Sequence, residues 1–321
     1  MSDIAHLGPV ELLTPTAERS LAFFVDVLGM EVEGQDGASV YLRGWGDYQR
    51  YSLVLTESAQ AGMAWLGLRA SSPEALRRRV AAVQGTGLGE GWSEGARGRG
   101  PSYRFRDPDG HNFELYYECE RYDPPEHLRP ALKNQPQRYL GRGAAVKRLD
   151  HVNVLAADVR SSREFAQEAL GYRLYERVEL DDGSEAGAWL SASIAAHELI
   201  YTRDAYGARG RLHHLAFWVD TREECLRAAD LFLDHGIKIE AAPSKHAIAQ
   251  ASSSTESSPA GTASRSQPVA ISCSIPSTRR SPGPRRSVPV ARPGACTPSR
   301  ASTPTGPHRS TRPTRGPTAR R

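Results

Sequence analysis

Arg211-Leu212-His213-His214-Leu215-Ala216-Phe217-Trp218-Val219-Asp220 is an apolar and aromatic run broken by paired histidines, and it reads as a buried strand. Leu149-Asp150-His151-Val152-Asn153-Val154-Leu155 has the same form. Two such strands, each placing one imidazole on the same face of a sheet, supply two of the ligands that a mononuclear iron or manganese site takes. A lone buried histidine is more often a hydrogen-bonded core residue, whereas two in repeat-equivalent strands point to a shared ion. Of the doublet, His214 is the candidate. It stands in Leu212-His213-His214-Leu215 where His151 stands in Leu149-Asp150-His151-Val152, and alternation along the strand then turns His213 to the opposite face.

Outward from these strands the chain repeats itself. At an offset of 142, Leu7-Gly8-Pro9-Val10-Glu11-Leu12 through Val27-Leu28-Gly29 matches Leu149 to Val154 through Ala169-Leu170-Gly171. Each copy reads as a strand, then an amphipathic helix closed by glycine. At an offset near 150, Trp65-Leu66-Gly67-Leu68 with a helix over 73–83 matches Leu215-Ala216-Phe217-Trp218 with a helix over 222–235. His151 and His214 then fall opposite Pro9 and Ala64, so the first half has no comparable pair. The spacing predicts an α+β fold of two tandem domains, each a pair of βαβββ modules. The first spans residues 1–121 and ends in a hairpin over 102–115. A linker over 122–146, with Pro124, Pro125, Pro130 and Pro136, joins it to a second domain over 147–250.

Composition changes abruptly after that. Residues 251–321 hold none of the 12 Tyr, 7 Phe or 5 Trp and carry 12 Arg against the single acid Glu256, a charge of +11. Taking this from the +4 of the whole leaves residues 1–250 at −7, which excludes nucleic-acid binding through bulk charge. No run approaches the ~20 apolar residues that cross a bilayer, and Met1-Ser2-Asp3-Ile4 has no leader pattern, so a cytoplasmic protein without a membrane partner is expected. Cys119, Cys225, Cys273 and Cys296 show no CxxC spacing and read as reduced.

The tail of Ser, Pro, Thr, Arg and Ala cannot bury enough apolar surface to offset chain entropy, so it is expected to be disordered. The second domain thereby loses its closing hairpin. A one-base slip of the reading frame near Ala251 accounts for this. Shifted by one base, codons for residues 251–265 are permitted to read Phe-Phe-Leu-Tyr-Gly-Val-Glu-Pro-Gly-Gly-Asn-Arg-Ile-Glu, the hairpin that the first half predicts.

The paired repeats, the His151 and His213-His214 strands, Ala196-His197-Glu198-Leu199 and Ser244-Lys245-His246 together resemble the extradiol ring-cleavage dioxygenases of the vicinal oxygen chelate superfamily, the catechol 2,3-dioxygenases in particular. The resemblance covers residues 5–250. It implies Fe(II), or Mn(II), held by His151, His214 and a closing-strand Glu, with a small aromatic diol and dioxygen as substrates. It implies His197 as acid/base, His246 as a hydrogen-bond donor to the substrate, and a homo-oligomer. The closing-strand Glu corresponds to Glu114 in the first half and falls at about Arg265 in the second, where a cation cannot ligate, so impairment of this chain is expected. Two rivals stay open on the same fold: a glyoxalase-type isomerase or lyase, which needs carboxylates in place of His, and a metal-free protein that sequesters an aromatic ligand.

Overall fold

The computed structural model describes residues 2–239, 243–245, 252–254 and 269–273, all within the compact unit Met1–Thr278. The first half begins with β1 (Ile4–Thr14), α1 (Ala17–Ala22) running on as a π-helical turn over Phe23–Val27, β2 (Glu31–Asp36), β3 (Ser39–Arg43) and β4 (Leu53–Glu57). A second module of the same kind follows: β5 (Gly62–Ala70), α2 (Pro73–Gly85), β6 (Gly89–Ser93), β7 (Ser102–Arg106) and β8 (Asn112–Tyr116). The second half repeats the order with β9 (Arg148–Ala156), α3 (Val159–Glu168), β10 (Arg173–Glu179), β11 (Glu185–Ser191) and β12 (Leu199–Arg203). Then come β13 (Arg211–Val219), α4 (Arg222–Asp234), β14 (Ser244–Lys245), β15 (Ser252–Ser254) and β16 (Val269–Cys273). Two eight-stranded sheets result, ordered β2-β3-β4-β1-β5-β8-β7-β6 and β10-β11-β12-β9-β13-β16-β15-β14. The α+β architecture of paired βαβββ modules is thus the one expected.

Local chemistry sets the helix ends. Ser72 caps α2 by accepting from the Ala75 amide, with Pro73 in the first turn. Thr221 and Glu224 close a reciprocal capping box on α4. Gly29 and Gly171 follow the first helix of each half at φ +80° and +77°, a backbone region that a side chain resists. The halves share one apolar core, in which Phe24 meets Phe217 and Phe105 meets Phe165, ring to ring at 6.2 and 6.0 Å.

The expected structureless tail is corrected at two short segments, which enter the second sheet. Val269-Ala270-Ile271-Ser272-Cys273 holds two β-branched residues and no Pro or Arg, so of the tail it suits a strand. The match to the first half is not one of direction. β8 runs parallel to β5, whereas β16 runs antiparallel to β13. Among the described residues, the first half's closing hairpin has no like-for-like copy in the second.

Candidate metal centre

β9 and β13 lie side by side, with Asn153 facing His214 and His151 facing Ala216. This brings His151 Nε2 to 3.2 Å from His214 Nε2. On its other side His151 Nδ1 lies 2.8 Å from Asp150 Oδ2, so Nδ1–H donates to the carboxylate and Nε2 is left as the lone-pair nitrogen. His214 Nδ1 lies 2.7 Å from His213 Nδ1. When His213 accepts from it, two bare Nε2 atoms converge. Two nitrogens about 2.0–2.1 Å from one ion, at angles between square and tetrahedral, are separated by about 2.9–3.4 Å. The observed spacing fits a shared ion on its first two ligands. His197 joins the cluster, its ring centroid 4.7 Å from that of His151; it stands two residues ahead of β12, in the approach to the strand.

The expected turn of His213 to the opposite face does not occur. The pairing of β13 with β9 slips between Leu212 and His214, and the bulge brings the His213 ring to 4.8 Å from that of His214. The first half carries the same slip, with Glu11 opposite Trp65 and Leu12 opposite Met63. Val10 faces Leu66 and Val152 faces Leu215, which fixes the offset for these strands at 149. The counterpart of His214 is therefore Trp65, and Ala64 matches His213.

His246 and Arg265 lie outside the described residues. Among the described residues, no three His, Cys, Asp or Glu side chains are grouped to hold a metal. The imidazole pair thus fits an ion, while a third ligand has to come from elsewhere. Glu114 cannot be it: buried in the first sheet, it accepts from Ser102 Oγ at 3.2 Å and Arg104 Nε at 3.1 Å and lies 2.9 Å from Arg99 Nη1. A cleft of about 530 Å³ lined by Ala157, Arg160, Ser184 and Arg203, among others, touches none of the histidines.

His111 joins the halves at the start of β13. Its Nδ1 lies 2.8 Å from Asp107 Oδ2, with both side chains fully buried, and its Nε2 reaches the Arg211 carbonyl at 3.2 Å. Asp109 in the same turn accepts from the Ala157 amide at 2.9 Å. The Asp107-Pro108-Asp109-Gly110-His111 turn of the first half thereby holds the start of β13. The compact acidic turn was the readable signal.

The matching family model is Glyoxalase/Bleomycin resistance protein/Dioxygenase superfamily, over residues 4–115 and 148–257. The chain belongs to this superfamily, and to its extradiol dioxygenase branch. It is 42% identical over 249 residues to the metapyrocatechase of Geobacillus stearothermophilus, covering 78% of this chain and 76% of that protein. It is 34% identical over 253 residues to a manganese-dependent 2,3-dihydroxybiphenyl 1,2-dioxygenase of Geobacillus genomosp. 3, covering 78% and 80%. In fold it matches the 2,3-dioxygenase LapB of Pseudomonas sp. KL28, with a TM-score of 0.71 at 24% identity over 85% of this chain and 93% of that one. Among the described residues no helix is long and apolar enough to cross a membrane.

Proposed function

We propose that the frame-intact form of this protein opens a catechol ring beside its two hydroxyls with dioxygen, giving a muconic semialdehyde-type product, and that the present chain is impaired in that reaction. The observation that carries the reading is the 3.2 Å approach of His151 Nε2 and His214 Nε2. The relatives named metapyrocatechase and 2,3-dihydroxybiphenyl 1,2-dioxygenase support the substrate class. Bound there, Fe(II), or Mn(II) in its place, supplies a Lewis-acidic, redox-active centre with positions open to a chelating diol and to dioxygen.

The chain's own residues have separable tasks. His151 and His214 hold the ion, and Asp150 fixes the tautomer of His151. His197, beside His151, takes the proton of a substrate hydroxyl and later returns it, the work of a general acid and base. His246 donates a hydrogen bond to a substrate oxygen. The missing part is the closing-strand carboxylate. Arg265 stands at about its place in the sequence, and two neutral imidazoles alone leave a divalent cation uncompensated.

The test compares this chain with a protein whose frame is restored at codon 251. Both receive Fe(II) without oxygen, then catechol, then air. A yellow ring-fission product is expected from the restored protein and none from the present chain. A colourless restored protein that retains iron would remove the oxygenase reading, and an intact frame in the resequenced gene would remove the account of the impairment.

A further inference from the structure

The pairing of β1 with β4 and β5 repeats that of β9 with β12 and β13, and the positions that converge on the metal centre have counterparts there. Val10 accepts the place of Val152 in both pairings: the Val10 amide bonds the Ser52 carbonyl and the Val152 amide the Glu198 carbonyl. Tyr51 therefore stands where His197 stands. Trp65 stands where His214 does, by the offset of 149, and Pro9 where His151 does, by the offset of 142. Three of these positions are occupied by groups that cannot ligate a metal under neutral conditions, since proline and tryptophan offer no lone pair and burial pushes the Tyr51 phenol above its ordinary range. Yet Glu114 remains, and a buried carboxylate needs a cation.

Arg99 supplies one. Its Nε–H donates to the Tyr51 hydroxyl at 3.2 Å. Its guanidinium carbon lies 4.3 Å from the Trp65 ring centroid and 5.1 Å from that of Tyr116. Its Nη1 lies 2.9 Å from Glu114 Oε2, with the two side chains only 3% and 5% exposed. That last contact is one of charge more than of hydrogen-bond direction, since the N–H of Nη1 does not aim along it. Tyr116 is itself pinned, its hydroxyl donating to Gln49 Oε1 at 2.8 Å. Arg99 comes from the loop between β6 and β7, where Gly98 at φ +67° turns the backbone toward the sheet.

We infer that the first half closes its cleft with a cation of its own: the Arg99 guanidinium occupies the point on which the second half converges its histidines, with Glu114 as counter-ion and Trp65 and Tyr116 as its aromatic walls. A planar delocalised cation suits this place because it stacks on two rings while reaching an oxygen on each side. The site is thus a guanidinium-binding site occupied by the chain itself. It keeps metal out of the first half, and it does so whatever the second half catalyses.

Arg99→Ala removes the resident cation and leaves its walls, so the variant should take up free guanidinium. The assay is thermal unfolding of full-length protein with EDTA throughout, in up to 50 mM guanidinium chloride against equal sodium chloride. Guanidinium weakly destabilises ordinary proteins, so wild-type Tm should stay level or fall. In Arg99→Ala, Tm should rise with the logarithm of guanidinium; at ten times Kd the folded-to-unfolded ratio gains about 11-fold. Arg99→Lys should not reproduce wild type, because an ammonium can neutralise Glu114 but cannot stack and bridge to Tyr51. The double variant Arg99→Ala with Glu114→Gln should not respond to guanidinium. Should Arg99→Ala be insoluble, its refolding yield in guanidinium against sodium gives the same reading. A response equal in the two salts, no response at all, or an undiminished response in the double variant would overturn the inference.

Discussion

At the scale of single residues, two histidine–carboxylate pairs differ in what they govern. Asp150 orients His151 toward His214, and partners of metal-ligating imidazoles typically matter by 10–100-fold in metal affinity. In a frame-restored protein, Asp150→Ala is expected to weaken Mn(II) binding by about that factor in equilibrium dialysis while leaving the fold intact. Asp107 instead governs stability. Burial alone would lower the value of His111, but the Asp107 hydrogen bond and charge, the Arg211 carbonyl and the Asp109 charge outweigh it, so the imidazole titrates above its ordinary range. A group raised on folding contributes stability that is complete below its unfolded value, about 6.5, and is lost as pH rises through the folded one. Wild-type Tm should therefore fall as pH rises above ~6.5, and in His111→Gln that component of the slope should vanish. An unchanged slope would show that His111 is neutral in the fold.

At the scale of elements, capping and packing set separate costs. Removing the Thr221 hydroxyl that accepts from the Glu224 amide should cost about 1 kcal/mol by urea unfolding. Phe217, fully buried in β13 and packed on Phe24 across the halves, should cost about 3–5 kcal/mol as Phe217→Ala. These two values separate the helix from the strand that carries His214. The elements themselves were legible in the sequence: strand periodicity, glycine helix ends and the 142-residue repeat specified three of the four βαβββ modules. The bulge at His213 was not, because it arises from pairing between strands distant in sequence, and a one-residue slip in offset moved the counterpart of His214 from Trp65 to Ala64. Nor was the role of His111, whose partner Arg211 is a hundred residues away.

At the scale of the molecule, the two halves differ in the groups they keep at equivalent places. The first keeps the carboxylate, Glu114, and covers it with Arg99. The second keeps the imidazoles and closes its sheet with β16 in the opposite direction to the first half's last strand. A ligand that binds only the folded state stabilises it by RT ln(1 + [L]/Kd), about 2.7 kcal/mol at a hundredfold excess over Kd. Two imidazoles without a carboxylate bind a divalent ion too weakly to reach such an excess at micromolar metal. The present chain is accordingly expected to show the same Tm with 100 μM Mn(II) as with EDTA, and the frame-restored protein a rise of several degrees, abolished by His214→Ala. Because the first half carries its own cation, the restored protein should bind a single ion per chain, and Glu114→Gln should leave that stoichiometry unchanged. A metal-dependent rise in the present chain would mean that a third ligand reaches the histidines from some other part of the sequence.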